Sequence, residues 1–389
     1  MTAPQQPGDA VREIESGTPP TRFARGWHCI GLAKDFADGE PHALEAFGTK
    51  LVVFADSQGE LHVLDAFCRH MGGDLSKGTI KGDAVACPFH DWRWSGNGRC
   101  TDIPYARRVP PLARTRTWHT LQQDGMVFVW HDPEGNPPNV DVPRIAGATD
   151  PEWTDWVWYQ TTVDTNCREV VDNVVDMAHF FYVHYSFPTY FKNVFEGHVA
   201  TQFMNGQARQ DTRPQASGQP VMLGSRSEAS YFGPSFMVDD LKYEYEHYTI
   251  DSVLINCHYP VDANRFVLQY GIIVRKSEQL PADAADVTAK KFGDFIAKGF
   301  EQDIEIWKNK TRIENPLLCE EDGPVYQLRR WYEQFYVDVA DVTAEMTDRF
   351  EFELDTTRAV ASWQDEVAAN LAARESDTRE PGDAAAAVR

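Results

Sequence analysis

Two short segments, each holding one cysteine and one histidine, constrain this sequence more than any other feature. They read Cys68-Arg-His70 and Cys87-Pro-Phe-His90, with sixteen residues between them. Thiolate and imidazole ligands from two loops can together make a four-ligand metal site. Zinc modules usually pair cysteine with cysteine and histidine with histidine, so zinc is the weaker alternative. One cysteine and one histidine in each loop favour a [2Fe–2S] centre, in which two thiolates hold one iron and two imidazoles hold the other.

The residues around these ligands indicate a centre of the low-potential kind. Met71-Gly-Gly follows the first pair and Asp91-Trp-Arg follows the second, and neither loop holds a further cysteine for a disulfide. Cys100 lies beyond the second loop and has no partner cysteine in the first. These features predict a potential near the low end of the Rieske range, about −150 mV. The remaining cysteines are predicted to be small buried residues.

A histidine pair further along the chain suggests a second metal site. His179 and His184 are five residues apart in a segment, about 167–185, that is predicted to be helical. A spacing of five turns the second side chain about 140° away from the first on an ideal helix. Both imidazoles can therefore bind one metal only if the helix is broken or widened near 181–183.

The predicted third ligand is Asp303, on a second helix predicted at about 284–310. The apolar positions of that helix recur at spacings of four and three, which places Asp303 on the buried face between Phe300 and Trp307. A buried carboxylate is costly unless it is paired or binds a metal, and a salt bridge is the alternative. Together with the histidine pair, Asp303 would form a 2-His-1-carboxylate site for Fe(II) with open positions for O₂.

Asp176 precedes His179 by three residues, and its apolar neighbours predict that it is buried. Three residues place both side chains on the same helix face. The Asp176 carboxylate is therefore predicted to hold the His179 ring in the tautomer that binds metal.

The distribution of strands and helices predicts an α+β protein. Strands at 51–54 and 61–64 flank a turn, and later strands at 243–248, 252–258 and 266–274 are followed by helices at 284–310 and 339–374. The predicted divisions are a flexible arm (1–20), a β-rich domain (21–135), a linker (136–155), a catalytic domain with an antiparallel sheet and long helices (156–374) and a frayed tail (375–389).

The net charge of −22 argues against binding to nucleic acid or to an anionic membrane surface. The sequence has neither an apolar run of eighteen residues nor a visible secretion signal, which predicts a cytoplasmic protein. It also has no G-x-G-x-x-G between a strand and a helix, so no nucleotide site is expected and electrons would come from another protein. The overall acidity suggests that this donor has a basic docking face.

The two metal constellations, in this order, resemble the terminal oxygenase components of Rieske non-haem iron oxygenases. The resemblance covers nearly the whole chain after the arm and implies a Rieske domain followed by a helix-grip catalytic domain. It also implies a homotrimer or an α₃β₃ complex, in which Asp176 links His179 to His90 of the adjacent chain. A Rieske electron carrier is the rival from another class, but such carriers need only about 100 residues.

Three longer blocks resemble the 3-ketosteroid 9α-hydroxylase branch of that family: CRHMGGDLSKGTIKGDAVACPFHDWRW, NVVDMAHFFYVHYSFPTYFKNVFEGH and FEQDIEIWKNK. This resemblance implies O₂-dependent 9α-hydroxylation of 3-ketosteroids in sterol (cholesterol) catabolism, with electrons from an NADH-dependent flavin and iron–sulfur reductase. The same machinery acting on another apolar substrate, such as an aromatic compound or a methyl ether, is the nearer alternative. The resemblance implies a substrate pocket of Val174, Gln202, Tyr231, Met237, Asn256, Phe300 and Trp307. From its residue type alone, Asn256 could equally cap a neighbouring strand end.

Overall fold

The N-terminal domain consists of short antiparallel strands. The computed structural model of the protein describes residues 11–212 and 222–379. The strands of this domain are β1 (Gly26–Leu32), β2 (His42–Ala46), β3 (Thr49–Ala55), β4 (Leu61–Asp65), β5 (Thr79–Lys81), β6 (Ala84–Ala86), β7 (Arg93–Ser95), β8 (Cys100–Asp102), β9 (Thr117–Trp118), β10 (Thr120–Gln123) and β11 (Met126–His131). They form sheets in the orders β1-β11-β10, β2-β3-β4-β9 and β5-β6-β7-β8. The predicted hairpin at 51–64 is present as β3 and β4.

An eight-stranded antiparallel sheet and the helices around it form the C-terminal domain, which confirms the α+β prediction. The strand order is β12-β18-β17-β16-β15-β14-β13-β19. The elements are β12 (Val157–Val163), α1 (Arg168–Asp172), α2 (Ala178–Tyr182), β13 (Ser186–Glu196), β14 (Val199–Ala208), β15 (Met222–Phe232), β16 (Phe236–Tyr245), β17 (Thr249–Asp262), β18 (Arg265–Val274), α3 (Ala282–Asn309), α4 (Val325–Glu333), α5 (Ala344–Thr347), β19 (Phe350–Glu353) and α6 (Thr357–Arg379). Helix α3, which the sequence predicts well, packs across β12 and β18.

The predicted single helix at 339–374 is wrong. The chain there forms a 3₁₀ turn, α5, the edge strand β19 and only then α6. Phe350 and Phe352 alternate with glutamates, which is the period of a strand rather than of a helix. The β19 strand pairs with β13, and Glu351 forms an ion pair with Lys192 at 2.6 Å. The predicted strand at 243–248 is displaced, because β16 spans Phe236–Tyr245 and residues 246–248 form the turn before β17.

The predicted arm, linker and tail are partly ordered against the two domains. In the arm, the Glu15 carbonyl accepts from the Glu314 amide, and Ser16 bridges to Ile313. In the linker, Val142 and Ile145 are buried. Helix α6 continues to Arg379, past the predicted end of the catalytic domain. Residues 1–10 and 380–389 lie outside the described residues. Within the described ranges, no helix is long and apolar enough to cross a membrane.

Three buried histidines lie where the two domains meet. His28 Nε2 and His131 Nδ1 both donate to the Ala24 carbonyl, at 3.1 and 3.2 Å. His258, on β17, is equally buried. Burial lowers the pKa of His28 to about 4 and those of His131 and His258 to about 3. At neutral pH these rings are therefore uncharged and packed inside the junction.

Acid is expected to weaken the fold through this histidine group. Below the ordinary histidine pKa of about 6.5, the unfolded chain binds more protons than the folded chain. The free energy of unfolding therefore has its full value above that pH and falls as the pH approaches the lower pKa values of the folded histidines. Each such histidine contributes a slope of about 1.4 kcal/mol per pH unit. The free energy of unfolding of His258→Gln can be measured with urea between about pH 7 and about pH 5. Its change per pH unit should be lower than that of wild type by roughly 1.4 kcal/mol. An unchanged dependence of the free energy of unfolding on pH would contradict the role given to His258.

Candidate metal and substrate sites

The two cysteine–histidine segments fold into a matched pair of loops. In the first, the Cys68 amide donates to the Gly73 carbonyl and the Gly72 amide donates to the Cys68 carbonyl, both at 2.8 Å. In the second loop, the Cys87 amide donates to the Trp92 carbonyl in the same way, at 2.9 Å. Gly72 has a φ of +76°, a conformation that favours glycine. The same short backbone closure therefore presents one cysteine and one histidine from each loop.

The donor atoms of the two loops converge, and the two imidazole Nδ1 atoms among them lack protein partners. The His70 and His90 rings lie with their centroids 4.7 Å apart, and the Nδ1 atom of each ring is buried without a hydrogen-bond partner in the described structure. Burial raises the pKa of the Cys68 thiol, and the neighbouring Cys87 sulfur raises it further. A Cβ atom on Gly73 would lie 2.6 Å from Cys87 Sγ, so the first loop closes tightly over the second cysteine. Buried, unpartnered nitrogens beside paired sulfurs are the donor set that a [2Fe–2S] cluster requires.

The spacing of these donors also bears on the zinc alternative. A single zinc ion holds its four ligands at 2.0–2.3 Å, so the ligand atoms lie close to one another. Within the described ranges, no three of the four donor residues have ligand atoms all within 4.8 Å of one another. The set is therefore too wide for one ion and suits a centre with two metal atoms.

The segment around His179 is helical, but not as the single predicted helix. Helix α1 is followed by a 3₁₀ turn, Asp176 is extended, and α2 spans only Ala178–Tyr182. The Asp176 carboxylate accepts a hydrogen bond from the His179 amide at 3.1 Å, as aspartates that begin helices commonly do. Beyond α2, Tyr185 adopts a φ of +55°, and the chain enters β13. The break predicted near 181–183 is therefore present, and it turns His184 back toward His179.

Asp303 completes a three-residue group with the two histidines. The ligand atoms of His179, His184 and Asp303 all lie within 4.8 Å of one another, and His184 Nε2 is 3.3 Å from Asp303 Oδ2. Asp303 is buried on α3, as its place in the apolar stripe predicts, whereas Glu301 and Glu305 on the same helix are exposed. Two imidazoles and one carboxylate at this separation could hold a single metal ion.

The backbone of Asp176, rather than its side chain, orients the His179 ring. His179 Nδ1 lies 2.5 Å from the Asp176 carbonyl oxygen and 3.8 Å from its carboxylate. Because a carbonyl only accepts, Nδ1 carries the proton and Nε2 is left to bind metal. Burial alone would lower the pKa of His179, but the hydrogen bond and charge of Asp176 and the charge of Asp303 outweigh it and raise the pKa.

The predicted burial of Asp176 is wrong for this chain. Its side chain is 53% exposed, although Val175 and Met177 on either side are buried. The extended backbone at Asp176 turns this one side chain outward. An exposed carboxylate beside a buried histidine is available to a group outside the chain.

The seven residues of the predicted substrate pocket surround the face of the sheet that α3 covers. Tyr231, Met237, Asn256 and Tyr270 are paired in one row across four strands. Paired residues share a sheet face, and the Tyr270 ring contacts Phe300 of α3 at 4.7 Å. Gln202 lies in the next row of the same sheet face. Val174 packs in the same core cluster as Tyr231. Trp307 packs with Phe300 and Tyr270.

Two polar atoms in this row have no partner in the described structure. Tyr231 Oη and Asn256 Oδ1 are both buried without a hydrogen bond. Asn256 Oδ1 accepts no hydrogen bond in the described structure, so it does not cap a neighbouring strand end. Buried polar atoms are nearly always satisfied in folded proteins. These two are therefore candidates for binding a polar group of a ligand.

Several residues around these sites were not found by sequence reasoning. Asp239, two residues along β16 from Met237, is buried, accepts a hydrogen bond from Ser227 at 2.8 Å and has its pKa raised to about 7 by burial. Behind α2, the Trp363 ring stacks on Phe181 at 4.7 Å. The period-two pattern of β16 could have placed Asp239 beside Met237. No local signal indicates the contact of Trp363, which comes from α6.

Two family models match successive parts of the chain. Residues 26–114 match a family model described as the Rieske [2Fe-2S] domain, and residues 129–336 match one described as the 3-ketosteroid 9alpha-hydroxylase C-terminal domain. The second match begins at residue 129, within β11.

Whole-chain relatives cover almost all of the sequence. A 3-ketosteroid-9-alpha-monooxygenase oxygenase component from Rhodococcus rhodochrous is 76% identical, over 93% of this chain and 92% of the relative. A Mycobacterium tuberculosis protein of the same name is 59% identical, over 95% and 96%. Among solved structures, dicamba monooxygenase bound to dicamba has a TM-score of 0.65 at 18% identity, over 81% of this chain and 98% of that one. This last similarity concerns the fold alone.

Proposed function

Because this chain belongs to the family of 3-ketosteroid-9-alpha-monooxygenase oxygenase components, we propose how its residues carry out that reaction. The protein is a Rieske-type monooxygenase, the terminal oxygenase that hydroxylates 3-ketosteroids at C9. One atom of O₂ enters the C–H bond as a hydroxyl group and the other leaves as water, with two electrons and two protons consumed. The observation that carries the assignment of residues is the convergence of His179, His184 and Asp303 beside the α3 face of the sheet.

The ligands of the Rieske cluster are Cys68, His70, Cys87 and His90 in this proposal. The support is their matched loops and the two buried Nδ1 atoms without partners. The loops hold no disulfide, and Trp94 Nε1 donates to Cys68 Sγ at 3.3 Å. The cluster would store one electron at a time at low potential.

His179, His184 and Asp303 bind the mononuclear iron in the same proposal. Bound Fe(II) would supply the activation of O₂, which amino-acid side chains do not perform. The protein fixes the two imidazoles by the break after α2 and by the Asp176 carbonyl, so Nε2 of His179 faces the site. Three protein ligands leave further coordination positions for O₂. Burial of Asp303 keeps bulk water from its carboxylate.

The pocket positions an apolar, flat substrate along the row of residues from Tyr231 to Tyr270. Three strand spacings separate these two residues, about 14 Å in all. Phe300 and Trp307 of α3 flank Asp303, which brings the apolar surface next to the metal ligands. The Tyr231 hydroxyl and the Asn256 Nδ2 amide group would donate hydrogen bonds to a ketone oxygen, because a ketone only accepts. Regioselectivity then follows from the position at which the ketone is held.

Replacing Asn256 with alanine should weaken steroid binding without affecting either metal site. The amide is buried and contacts neither the histidines nor Asp303 through any hydrogen bond in the described structure. Losing one hydrogen bond of this kind costs about 0.5–1.5 kcal/mol, so KM should rise by roughly threefold to tenfold. Asn193→Ala is a comparison in which a hydrogen bond within the protein is lost, because Asn193 Nδ2 already donates to the Val174 carbonyl. Its effect is expected on the stability of the fold and not on a hydrogen bond to the substrate. An unaltered KM in Asn256→Ala would argue for a purely structural amide.

The active form is a ring of copies, a homotrimer in this proposal, in which each cluster serves the iron of the next copy. Within the described ranges, no hydrogen bond, ion pair or ring contact joins the cluster loops to His179, His184 or Asp303. The core that contains Cys68 and Cys87 includes no residue of the C-terminal domain. Exposed Asp176 would bridge His179 to His90 of the neighbouring copy.

The surfaces near the two centres are complementary in a way that supports this assembly. Phe67, Met71 and Phe89 are exposed beside the cluster ligands. Beside Asp176, where Gly323 packs against the Val175 carbonyl, segment 317–322 exposes two leucines and one glutamate and holds two further acidic residues that are half-buried. Apolar surface beside a basic loop can therefore meet apolar surface beside an acidic one. Two different patches joined head to tail generate a closed ring when the rotation permits.

A substrate panel tests this function against the nearer alternative. With a reductase and NADH supplied, androst-4-ene-3,17-dione should give O₂ consumption and NADH oxidation in step with product. Dicamba, an aromatic acid with a methyl ether, should give neither product nor coupled consumption. Coupled turnover of dicamba but not of the steroid would overturn the substrate assignment and leave the oxygenase class standing.

A further inference from the structure

The charge around the cluster is opposite to that of the chain. Residues 67–116 contain nine lysines and arginines and four aspartates, a net charge of +5, within a chain of net charge −22. The remaining residues therefore carry −27. A local positive field inside a strongly acidic protein marks a surface at which an acidic partner would be attracted.

Most of this positive charge is not neutralised within the chain. Asp74, Asp91 and Asp102 each form an ion pair with a lysine or arginine at 2.6–3.1 Å. The fourth aspartate accepts a hydrogen bond from the Ser57 amide. In the described part of the chain, seven cations of this region form no ion pair: Arg69, Lys77, Arg99, Arg107, Arg108, Arg114 and Arg116.

Two of these arginines are placed in a way that is unfavourable for the isolated chain. Arg99 and Arg114 face each other across an antiparallel bridge. Both are exposed. Like charges directly opposite each other destabilise paired strands. A negatively charged surface placed over them would relieve this repulsion.

An exposed aromatic residue of the same segment, between Arg99 and Arg114, connects the solvent to a cluster ligand. Tyr105 is 64% exposed, and its hydroxyl accepts a hydrogen bond from Trp92 Nε1 at 2.8 Å. The Trp92 ring stacks on His70 with centroids 4.5 Å apart and planes at 7°. Two contacts therefore lead from the solvent to the cluster ligand His70.

The other cluster histidine has a different surface. His90 borders a groove of about 460 Å³ that is also lined by Lys77, Lys81 and Phe89. Phe89 packs against the His90 ring at 3.9 Å. The cluster can thus be approached from two sides, through Tyr105 and Trp92 to His70 or through this groove to His90.

We propose that Tyr105 together with Arg99, Arg107, Arg108 and Arg114, here called the arginine face, docks the acidic surface of the electron-donating reductase. The inference rests on the proposed function, in which His90 serves the neighbouring copy and leaves the His70 side open. In each docking event the reductase loses one electron and the Rieske cluster gains it, so two events supply one hydroxylation. The docking surface of the reductase is therefore acidic in this proposal. The net charge of the whole oxygenase chain, taken alone, would instead suggest a reductase with a basic docking surface.

Reversing two charges of the arginine face tests this inference. The variant is Arg107→Glu with Arg108→Glu, two exposed residues without ion pairs in the described structure. The matched control is Lys34→Glu with Lys291→Glu, which changes the net charge equally at exposed sites elsewhere. The probe is the reductase component that serves the Rhodococcus rhodochrous relative, supplied with NADH, and cluster reduction is followed by rapid-mixing absorbance.

The arginine variant is expected to need at least about tenfold more reductase for half-maximal cluster reduction, because like charges now oppose each other at the contact. The control should match wild type. Raising ionic strength from about 20 mM to about 0.2 M should slow wild type and leave the arginine variant almost unaffected. Cluster reduction by dithionite and the oligomeric mass should be unchanged in both variants.

Equal reductase dependence in the variant and the control would overturn the inference. A variant that loses its oligomeric mass would also overturn it, because the arginine face would then belong to the contact between copies. Cluster reduction is measured without steroid, so its outcome is separate from the proposed function. If wild type accepts electrons but makes no steroid product, the proposed function fails while docking is still measured.

Discussion

Asp303→Ala is expected to abolish steroid hydroxylation and to lower the iron content from three atoms per chain to two. Asp303 provides the only carboxylate in the group with His179 and His184, and its Oδ2 is 3.3 Å from His184 Nε2. Two neutral imidazoles without an anionic partner hold Fe(II) weakly. Loss of residues that merely support ligands already costs 10–100-fold in affinity or activity, so loss of a ligand should exceed about 100-fold.

Iron analysis, the visible spectrum of the cluster and product formation measure this result together. The spectrum should be unchanged, because Asp303 is in the C-terminal domain and the cluster core contains no residue of that domain. Glu301→Ala is the matched control, since Glu301 is an exposed acidic residue on the same helix. A full complement of iron and normal turnover in Asp303→Ala would mean that Asp303 is a salt-bridged structural aspartate.

Asp176→Asn should retain both metal centres and slow electron transfer from the cluster to the iron by at least about 100-fold, comparable to the upper range for residues that support metal ligands. The asparagine oxygen can still accept from the His179 amide, and the carbonyl that orients the ring is part of the backbone. The orientation of His179 should therefore survive. What the substitution removes is the exposed negative charge that is available to the neighbouring copy.

Rapid-mixing kinetics of cluster oxidation, in the presence of O₂ and steroid, measure this rate. Asp164→Asn is the control, because Asp164 is another exposed aspartate of the same domain. Mixed oligomers add a second readout. Subunits with Cys87→Ser, which lack a cluster, should regain activity when assembled with Asp303→Ala subunits. Unchanged kinetics in Asp176→Asn, or mixed oligomers without activity, would remove the bridging role.

Much of the metal chemistry could be predicted because it depends on local constraints. The loop spacing of Cys68, His70, Cys87 and His90 favours a [2Fe–2S] cluster over zinc before any fold is known. The position of Asp303 followed from the helical period, because a carboxylate in an apolar stripe needs a partner. The gap of five between His179 and His184 demanded a broken helix, and α2 does end at Tyr182.

The remaining features depend on contacts between distant segments. Residues 339–374 predict a helix because they are rich in helix formers, whereas the pairing of β19 with β13 depends on a distant segment. The outward turn of Asp176 depends on a single extended residue between two helices. The concentration of unpaired arginines near the cluster appears only when their ion-pair partners, or the lack of them, are known in three dimensions.

A single turnover with isotopically labelled oxygen tests the central claim most directly. The cluster is reduced chemically without a reductase, and androst-4-ene-3,17-dione and ¹⁸O₂ are then added. Mass spectrometry and NMR should find a C9 alcohol that contains one labelled oxygen atom. A protein with three iron atoms per chain that yields no steroid product, or an alcohol whose oxygen comes from water, would contradict the account.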